Sequence, residues 1–567
     1  MDAERNDITT RQHEPSAQRA GSPPPAGVRG NEWTALDVPE PGAWSPERAL
    51  TIVVRAAGDP GHLPTTLAAL AEQSYPRALT QILIVGEPSG ESVELVAELG
   101  AESLGADPDG ARARAAATGE ILLFLDPGLI LPRHAVEAHA RWHHAVGDAA
   151  VLGRRRGLTA APVDQGAVGE AVRTGELDSL LGGESASTDD WVDETLEDTG
   201  RLTDERFDVF RVGTRGSLSV RAETLAGARG FGPSVDRRGI ELAYRLFTYG
   251  AIVVPDDDAA GWQRVAAERS DDGRVDGPEL ERLVPVGGFR RPGSGLVRAV
   301  PSMHVAVAVG NRTVDEVVER IGTLLAGGVA DVSVALELDP GYGERERLEV
   351  AFAADPRVAI DGTAPAGCPL SLRLPAVAGA DPQTLRDVRE LMLEGSLGAL
   401  YATVPGQPAA AATVRAYATR ALHRARRLAA EAGGDEEELI GELFRERWVS
   451  GIEIGVRDRD NPAPELADQG PLATNPELVR ERSRTSRERS RAEREQAAAE
   501  KARRRAEQAR TRERSRVEEA QALADRERER GGEAESKLKA LQRSRAHRLV
   551  RVLWRLRRAL SPTKRRR

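Results

Sequence analysis

The chain has very little of what would place it outside a reducing compartment or inside a membrane. Only one of its 567 residues is cysteine, Cys368, which excludes an internal disulfide bond and fits a reducing compartment. No stretch approaches the roughly 18 consecutive apolar residues of a membrane-spanning helix. No apolar run follows a basic start at the N-terminus, so we expect no signal peptide and a cytoplasmic protein.

The length predicts more than one domain, because a single hydrophobic core rarely serves more than about 250–300 residues. Residues 1–46 are rich in proline, glycine and charge and have no apolar periodicity, so we predict a disordered N-terminal segment. Two segments of alternating strands and helices follow, at 47–290 and 300–460. A charged segment at 476–541 and a basic segment at 543–567 complete the chain.

The pattern in residues 47–290 predicts an α/β domain with a mainly parallel sheet. Short apolar runs at 50–54, 81–85 and 121–125 are typical of buried strands, and helical patterns at 62–73 and 110–118 lie between them. In such sheets, ligands bind beyond the carboxyl ends of the strands. Arg55, Glu87 and Asp126 all fall at these ends, so we take them as candidate ligand-binding residues.

Residues 300–460 predict a second α/β domain of unknown role. A strand at 304–309, a helix at 314–325 and a strand at 332–336 repeat the order seen in residues 50–85. A weak internal duplication and an unrelated companion domain both fit this pattern. Nothing in the segment resembles a catalytic motif, and we interpret His304, at the start of an apolar strand, as structural.

Residues 476–541 consist almost wholly of arginine, glutamate, alanine and serine. Interleaved charges at helical spacing predict a long charged helix that is exposed to solvent. The sustained apolar heptads of a coiled coil are missing, which favours a spacer helix over a coiled coil. The Gly531–Gly532 pair is expected to interrupt the helix, since glycine costs about 1 kcal/mol there.

Residues 543–567 carry eleven lysines or arginines and no acidic residue. Within them Leu549, Val552, Leu553 and Leu556 recur at spacings of three and four, so we predict a basic amphipathic helix. An anionic membrane surface is the partner that this pattern favours, at the inner face of the cell membrane. Packing on the acidic body of the chain is the alternative. A specific nucleic-acid partner is not expected, because no recognised nucleic-acid motif accompanies the charge.

The strand at 121–125 ends in Asp126-Pro127-Gly128, and this segment belongs to an ordered set of motifs. The others are Gln73-Ser74-Tyr75-Pro76 after the first helix, the Ala/Arg-rich run 110–120, Gly216–Arg221 with Gly230-Phe231, and the helix 240–246. Together they resemble the family 2 glycosyltransferases of the GT-A fold, especially those acting on cell-surface polysaccharides. The resemblance covers residues 48–265 and implies a GT-A (Rossmann-like) domain, completed here by the second α/β domain and a charged helical extension.

The resemblance also implies a chemistry. Such enzymes bind a nucleotide-sugar donor, and an acceptor hydroxyl on a glycan or lipid-linked glycan displaces the nucleoside diphosphate with inversion. An Asp-X-Asp triplet holds Mn²⁺ or Mg²⁺, which neutralises the diphosphate, and a carboxylate acts as general base. By this correspondence Glu87 would bind the nucleoside and Asp126 the metal ion.

The chain departs from the family pattern at four positions. Gly86-Glu87-Pro88-Ser89 stands where two acids are usual, Gly128 replaces the second acid of the metal triplet, Arg238-Gly239 replaces the Glu-Asp base pair, and Trp262-Gln263 replaces a histidine. Three compensations are open. Glu241 could serve as the base, Asp256-Asp257-Asp258 could supply metal ligands, and Arg55, Arg112 or Arg114 could clamp the diphosphate without metal.

Two hypotheses of different classes therefore remain. The first is a membrane-associated glycosyltransferase that uses a nucleotide sugar, with Mn²⁺, Mg²⁺ or no cofactor. The second is a catalytically degenerate scaffold or binding protein at the membrane, since the four departures together suggest that metal binding and base catalysis are weakened or lost.

Overall fold

The computed structural model describes residues 27–460, apart from short gaps, and residues 545–559. The gaps are 57–61, 108–109, 159–162, 183–185, 188–189, 205, 208, 214–215, 231–238, 265–277, 287–297, 328 and 410–411. Residues 545–559 belong to a separate unit of the chain, Glu465–Arg567, and are described by themselves.

The first domain is built on one large mixed sheet, with strands in the order β3-β2-β1-β4-β8-β6-β9-β5 and β7 paired to β6. Strands β1–β4 are parallel, whereas β8 is antiparallel to both β4 and β6. The strands are β1 (Leu50–Arg55), β2 (Thr80–Val85), β3 (Glu102–Gly105), β4 (Ile121–Leu125), β5 (Leu129–Ile130), β6 (Ala149–Leu158), β7 (Ala186–Ser187), β8 (Ser217–Arg221) and β9 (Ile252–Arg264).

Helices cover both faces of this sheet. They are α1 (Leu63–Ala71), α2 (Ser92–Glu98), α3 (Ala111–Ala116), α4 (Ala135–Ala145), α5 (Gln165–Thr174), α6 (Leu177–Leu181), α7 (Asp190–Asp198), α8 (Ala222–Gly227), α9 (Ile240–Thr248) and α10 (Pro278–Leu283). Strand β1 is buried from Leu50 to Val54 without the alternation of a half-exposed strand, as expected for a parallel strand covered on both sides. The predicted α/β class is confirmed.

The prediction of disorder for residues 1–46 is wrong for residues 27–46, which pack on the first domain. Asn31 is fully buried, and its amide donates to the carbonyls of Leu202 and Val253, both at 2.8 Å, while its oxygen accepts from the Val253 amide. Trp33 packs edge-on against Trp142. Isolated contacts of this kind leave no periodic pattern in a sequence. Residues 1–26 lie outside the described part of the chain.

The second domain has a seven-stranded sheet, in the described residues, with the order β12-β11-β10-β13-β16-β15-β17, and a separate pair of β14 with β18. Its strands are β10 (Met303–Ala308), β11 (Val332–Glu337), β12 (Val358–Ile360), β13 (Leu370–Leu374), β14 (Ala378–Ala380), β15 (Ala399–Thr403), β16 (Thr413–Ala418), β17 (Glu446–Ser450) and β18 (Val456–Asp458). Its helices are α11 (Val314–Leu325), α12 (Arg345–Phe352), α13 (Thr384–Glu394), α14 (Thr419–Ala432) and α15 (Glu436–Leu443).

The two sheets share one topology. Strands β10–β13 pair with one another as β1–β4 do, β16 is antiparallel to β13 and β15 as β8 is to β4 and β6, and β17 is parallel to β15 as β9 is to β6. The short antiparallel pair β14–β18 corresponds to β5–β9. The repeated strand-helix-strand order noted in the sequence therefore extends through the whole sheet.

The two domains differ most in one connection. In the first domain the chain between β6 and β8 runs from residue 159 to 216 and includes α5, α6 and α7. In the second domain the corresponding connection, between β15 and β16, spans only residues 404–412. Among the described residues, the second domain has no helices that correspond to α5, α6 and α7.

Near the C-terminus, the structure has helix α16 (Arg545–Ala559) within the segment predicted as basic and amphipathic. Its described apolar side chains are more than half exposed at Leu549, Leu553 and Trp554. Among the described residues, no helix has the length and apolar character needed to cross a membrane. The charged helix predicted for 476–541 lies outside the described residues.

Candidate functional site

The carboxyl ends of the parallel strands in the first domain bring two of the predicted residues into direct contact. Arg55 ends β1, and Asp126 follows β4, which pairs with β1 in register. The Arg55 Nη2 atom donates to Asp126 Oδ1 at 2.7 Å. Both side chains are partly exposed, at 39% and 24%, so this ion pair lies at an accessible edge of the sheet.

The turn after Asp126 has a geometry that favours glycine at position 128. Gly128 has φ of +83°, a conformation that side-chain-bearing residues rarely adopt, and its amide donates to Thr66 Oγ1 at 2.8 Å. A Cβ atom on Gly128 would lie 3.0 Å from the Cβ atom of His62. The backbone and His62 together therefore disfavour an aspartate at this position.

Glu87 and Arg112 form a second group at the same edge, around Gly105 at the end of β3. A Cβ atom on Gly105 would lie 3.0 Å from Glu87 Oε1 and 3.6 Å from Arg112 Nη1. Arg112 also donates to the carbonyl of Leu104 at 2.8 Å. The two predicted side chains thus both lie near Gly105, and one acid and one guanidinium there can hydrogen-bond a polar ligand.

Two further arginines lie around the edge. Arg155, on β6, packs its Cδ against Gly216, whose carbonyl accepts from the Asp126 amide at 3.0 Å. Its Nη1 donates to Gln263 Oε1 at 2.8 Å. No sequence motif pointed to Arg155, because only the pairing of β6, β8 and β9 brings it next to Gly216. The second is Arg114, which lies near Gly230: a Cβ atom added to Gly230 would be 3.7 Å from Arg114 Nη1.

Glu241, the candidate base, lies in a buried ion pair on α9. Its Oε1 accepts from Arg245 Nε at 2.7 Å, one helical turn away, and both side chains are less than one-tenth exposed. Arg245 is itself fixed by the carbonyls of Ala228 and Gly230. A catalytic role for Glu241 stays a prediction. To take a proton from an acceptor hydroxyl, its carboxylate would have to become accessible despite its burial and its ion pair with Arg245.

The three carboxylates at 256–258 form ion pairs with arginines. Asp256 is buried and binds Arg141 through both oxygens, and it also accepts from Trp142 Nε1 at 2.6 Å. Asp258 pairs with Arg141 at 2.8 Å, and Asp257 pairs with Arg201 at 3.0 Å. These contacts give the three carboxylates a structural function.

The residues at the site do not fit a divalent metal ion. Mn²⁺ and Mg²⁺ need several oxygen ligands in near-octahedral geometry, and a protein supplies one or two carboxylates whose oxygens are free to coordinate the ion. Asp126 is the single acid at its turn, and Arg55 already occupies one of its oxygens. Within the described parts of the chain, no group of three histidine, cysteine, aspartate or glutamate side chains could hold a metal.

Two buried histidines support the sheet behind this edge. His139 on α4 hydrogen-bonds with the hydroxyls of Ser217 and Ser219 on β8, and His143 hydrogen-bonds with Ser219 at 2.8 Å. Burial lowers the pKa of His139 to about 3, and burial also lowers the pKa of His143 well below its usual range. Both imidazoles are therefore neutral at physiological pH and hold β8 beside β4.

No protein-family model matches the chain, and no curated protein sequence matches it. Parts of solved glycosyltransferase structures do match. The mannosyltransferase PcManGT from Pyrobaculum calidifontis, in complex with GDP-Man and Mn²⁺, is 16% identical over 44% of this chain and 66% of its own, with a TM-score of 0.29. S. aureus TarS 1-349 with UDP-GlcNAc is 13% identical over 41% of this chain and 65% of its own, also with a TM-score of 0.29.

A third match is glucosyl-3-phosphoglycerate synthase from Mycobacterium tuberculosis, in complex with Mn²⁺, UDP and glucosyl-3-phosphoglycerate. It is 15% identical over 39% of this chain and 72% of its own, with a TM-score of 0.23. The chain thus spans less than two thirds of the length of the first two structures. The three structures named here contain GDP-Man, UDP-GlcNAc or UDP.

Proposed function

We propose that the protein is a glycosyltransferase-like protein that binds a nucleotide-sugar donor in its first domain and transfers the sugar to a cell-surface glycan or lipid-linked acceptor. The observation that carries this proposal is the Arg55–Asp126 pair at the carboxyl ends of β1 and β4. In open α/β sheets this edge is where ligands bind. The ordered set of family-like motifs in residues 48–265 supports the same reading.

Arginines take the place of a metal ion in this proposal. Arg55 is the guanidinium at the end of β1. Arg155 on β6 packs against Gly216, and Arg112 on α3 lies near Gly105 at the end of β3. A guanidinium binds phosphate oxygens through two parallel hydrogen bonds and stays charged at all relevant pH values. Such groups hold the diphosphate and stabilise the negative charge that develops as it leaves the sugar. Glu87 would accept a hydrogen bond from the nucleoside.

A second candidate function is a catalytically degenerate scaffold that binds a donor or glycan without turnover. The specific observation in its favour is the buried Glu241–Arg245 pair, which occupies the carboxylate that the resemblance offers as a base. Donor binding is common to both candidates. Turnover separates them, so a transfer assay has to follow any demonstration of binding.

The proposed location is the inner face of the cell membrane, through helix α16. Its exposed apolar side chains Leu549, Val552, Leu553 and Leu556 stand beside arginines on one helix. An amphipathic helix of this type lies in a membrane interface, and each basic side chain near an anionic surface contributes about 1 kcal/mol.

The test of this location is sedimentation of the full chain with lipid vesicles. We expect it to bind vesicles that contain phosphatidylglycerol and not vesicles of pure phosphatidylcholine. The double change Leu549→Glu, Leu553→Glu should abolish sedimentation with the phosphatidylglycerol vesicles.

The test of the donor site is calorimetric titration of the full chain with UDP and with GDP, each with and without Mn²⁺. We expect metal-independent binding that Arg55→Ala weakens by about 10- to 100-fold, since a charge-assisted pair is worth about 1.5–3 kcal/mol. Arg386→Ala, an exposed arginine of the second domain, is the matched control and should leave binding unchanged.

Each other outcome has a definite reading. Binding that requires Mn²⁺ and is lost in Asp126→Ala would mean a working metal site and overturn the arginine clamp. No binding of either nucleotide under any condition would remove the proposed donor function with these bases. Binding without sugar transfer to any glycan acceptor would leave the scaffold as the function.

A further inference from the structure

One face of the second sheet carries aromatic and charged side chains in neighbouring positions on β15, β16 and β17. Tyr401 on β15 lies opposite Arg415 on β16 and opposite Trp448 on β17. Directly opposed residues of neighbouring strands point to the same side of a sheet. These three side chains therefore form one row across three adjacent strands.

The same row in the first domain is apolar and covered. The two sheets can be aligned by equating the last paired residues of β4 and β13, Leu125 and Leu374. In this alignment Arg415 corresponds to Leu218, and Tyr401 corresponds to Leu152. Leu152 and Leu218 are buried in one cluster with Tyr244 of α9. In the second domain the corresponding connection spans only residues 404–412, and the matching row carries aromatic and charged residues in place of leucine.

The face of β15, β16 and β17 that carries this row forms the floor of an open cavity of about 550 Å³. Helix α15 supplies one wall, through Glu437, Glu438 and Glu442, and Glu446 of β17 lies on the floor. A cavity of this volume falls within the range of small-molecule sites, which is about 300–1,000 Å³.

An aromatic platform stands in this cavity. The Trp448 ring is stacked on the Tyr401 ring, with centroids 4.6 Å apart and planes inclined by 22°. Tyr401 is 4% exposed whereas Trp448 is 57% exposed. Tyr401 therefore supports one face of the tryptophan, and the opposite face is available to a ligand.

The charge of the cavity is strongly negative. Glu437 of the wall is neutralised by residues of β16, because Arg415 Nε lies 3.1 Å from its Oε1 and the Tyr417 hydroxyl donates to the same oxygen at 2.6 Å. Among the described residues, the carboxylates of Glu438, Glu442 and Glu446 accept no hydrogen bond and join no ion pair. Three uncompensated carboxylates repel a nucleoside diphosphate, so this cavity is not a second donor site.

We infer that this cavity, a groove formed by β15–β17 and α15, binds a small amine-bearing cation. An ammonium group over the open face of Trp448 is attracted by the electron-rich ring. Glu438, Glu442 and Glu446 then balance its charge, and Thr413 and Arg415 can bind neutral hydroxyls of the same ligand. A linear polyamine and an amino sugar both present this chemistry. The inference does not depend on the function proposed for the first domain.

The test is calorimetric titration of the full chain, at low ionic strength, with spermidine, with D-glucosamine and with N-acetyl-D-glucosamine. The last two share a sugar ring but differ in the positive charge. We expect at least one amine to bind and the acetylated sugar to bind at least tenfold more weakly than any amine that binds. Binding of spermidine alone identifies a polyamine groove, and tighter binding of glucosamine identifies an amino-sugar groove.

Variants separate the groove from general charge effects. Trp448→Leu keeps an apolar side chain but removes the ring, and should weaken amine binding by about tenfold. Glu442→Gln should weaken it by about threefold. Glu346→Gln, an exposed glutamate of α12 in the same domain, is the matched control and should have no effect. Thermal unfolding of each variant confirms that the fold is retained.

Three results would overturn the inference. The first is the absence of binding by either amine at millimolar concentration. The second is equal binding of glucosamine and N-acetylglucosamine, which would make the platform a neutral sugar site. The third is an equal loss of amine binding in Glu346→Gln and Glu442→Gln, which would reduce the effect to the overall charge of the chain.

Discussion

Arg424 of the second domain donates two hydrogen bonds to the backbone carbonyl of Gly250 in the first, from Nε at 2.9 Å and from Nη2 at 2.7 Å. Its remaining nitrogen, Nη1, donates to the carbonyls of Val28 and Gly30. Gly250 has φ of +96°, and a Cβ there would lie 2.9 Å from the Arg420 carbonyl oxygen. One arginine thus joins both domains and the N-terminal segment.

We expect Arg424→Met to lower the free energy of unfolding by about 3 kcal/mol, because buried carbonyls lose their donors. Calorimetry or circular dichroism on heating measures the change. Arg426→Met, on an exposed face of the same helix, is the control and should cost less than about 0.5 kcal/mol. Equal losses in the two variants would show that Arg424 does not hold the domains together.

The second prediction concerns the missing acid of the metal triplet. Gly128→Asp restores an Asp-X-Asp sequence, but the aspartate would have to adopt φ near +83° and approach His62. We expect a loss of stability of about 1–2 kcal/mol and no gain of Mn²⁺ binding, measured by thermal unfolding and by calorimetric titration with Mn²⁺.

Gly90→Asp is a matched control for this variant. Gly90 has φ of +57° with no atom within 4 Å of an added Cβ. It therefore reports the cost of the backbone conformation alone, and the difference between the two variants measures the crowding at His62. Tight Mn²⁺ binding by Gly128→Asp at unchanged stability would contradict our account of why the triplet is incomplete.

The sequence predicted the edge of the site better than its contacts. Strand ends can be located from apolar runs, and parallel strands end at one edge, so Arg55 and Asp126 were expected to lie close together. The contacts of Glu241 could not be foreseen in the same way. Its partner Arg245 is at helical spacing, but the carbonyls that fix Arg245 come from a turn before α9. Arg155 reaches the site only through long-range strand pairing.

The repeated topology was also only partly visible. The sequence showed one strand-helix-strand echo, because helix and strand periodicity is local. The rest of the correspondence depends on strand order, which periodicity does not encode. At the turn that corresponds to Asp126, the second domain has Pro375 after β13, and its β15–β16 connection is short. Divergence at the site and in loop length therefore conceals the likeness.

The third prediction separates a catalytic from a structural Glu241. Glu241→Gln keeps the shape of the side chain but removes its charge, which leaves the buried Arg245 without its anion. We expect stability to fall by about 3 kcal/mol while UDP or GDP binding at 20 °C stays within about twofold of the unchanged protein. Urea unfolding and calorimetric titration measure the two quantities.

Asp126→Asn serves as the converse control for this pair, since it alters the site edge without touching a buried ion pair. A Glu241→Gln variant of unchanged stability that binds the donor but loses all sugar transfer would establish Glu241 as the base. The same loss in a variant that has also lost stability would leave the structural role in place.

The last prediction is a dependence of stability on pH that arises from His139 and His143. In the unfolded chain both imidazoles titrate near pH 6.5, whereas burial lowers the pKa of His139 to about 3 in the folded protein and lowers that of His143 well below its usual range. Between these values only the unfolded state binds the protons. Their contribution to stability is therefore complete above about pH 6.5 and is lost as the pH falls, by about 1.4 kcal/mol per pH unit for each histidine.

Urea unfolding at pH 7.5 and pH 5.5 measures this loss, and His139→Gln identifies its source. Glutamine can hydrogen-bond the Ser217 and Ser219 hydroxyls that His139 contacts but does not titrate, so the variant should lose about 1 kcal/mol less than the unchanged protein over this interval. Because the other groups titrate alike in the two proteins, the difference between them isolates the buried imidazole; an identical pH dependence in His139→Gln would mean that the pKa of this histidine is not lowered in the folded protein.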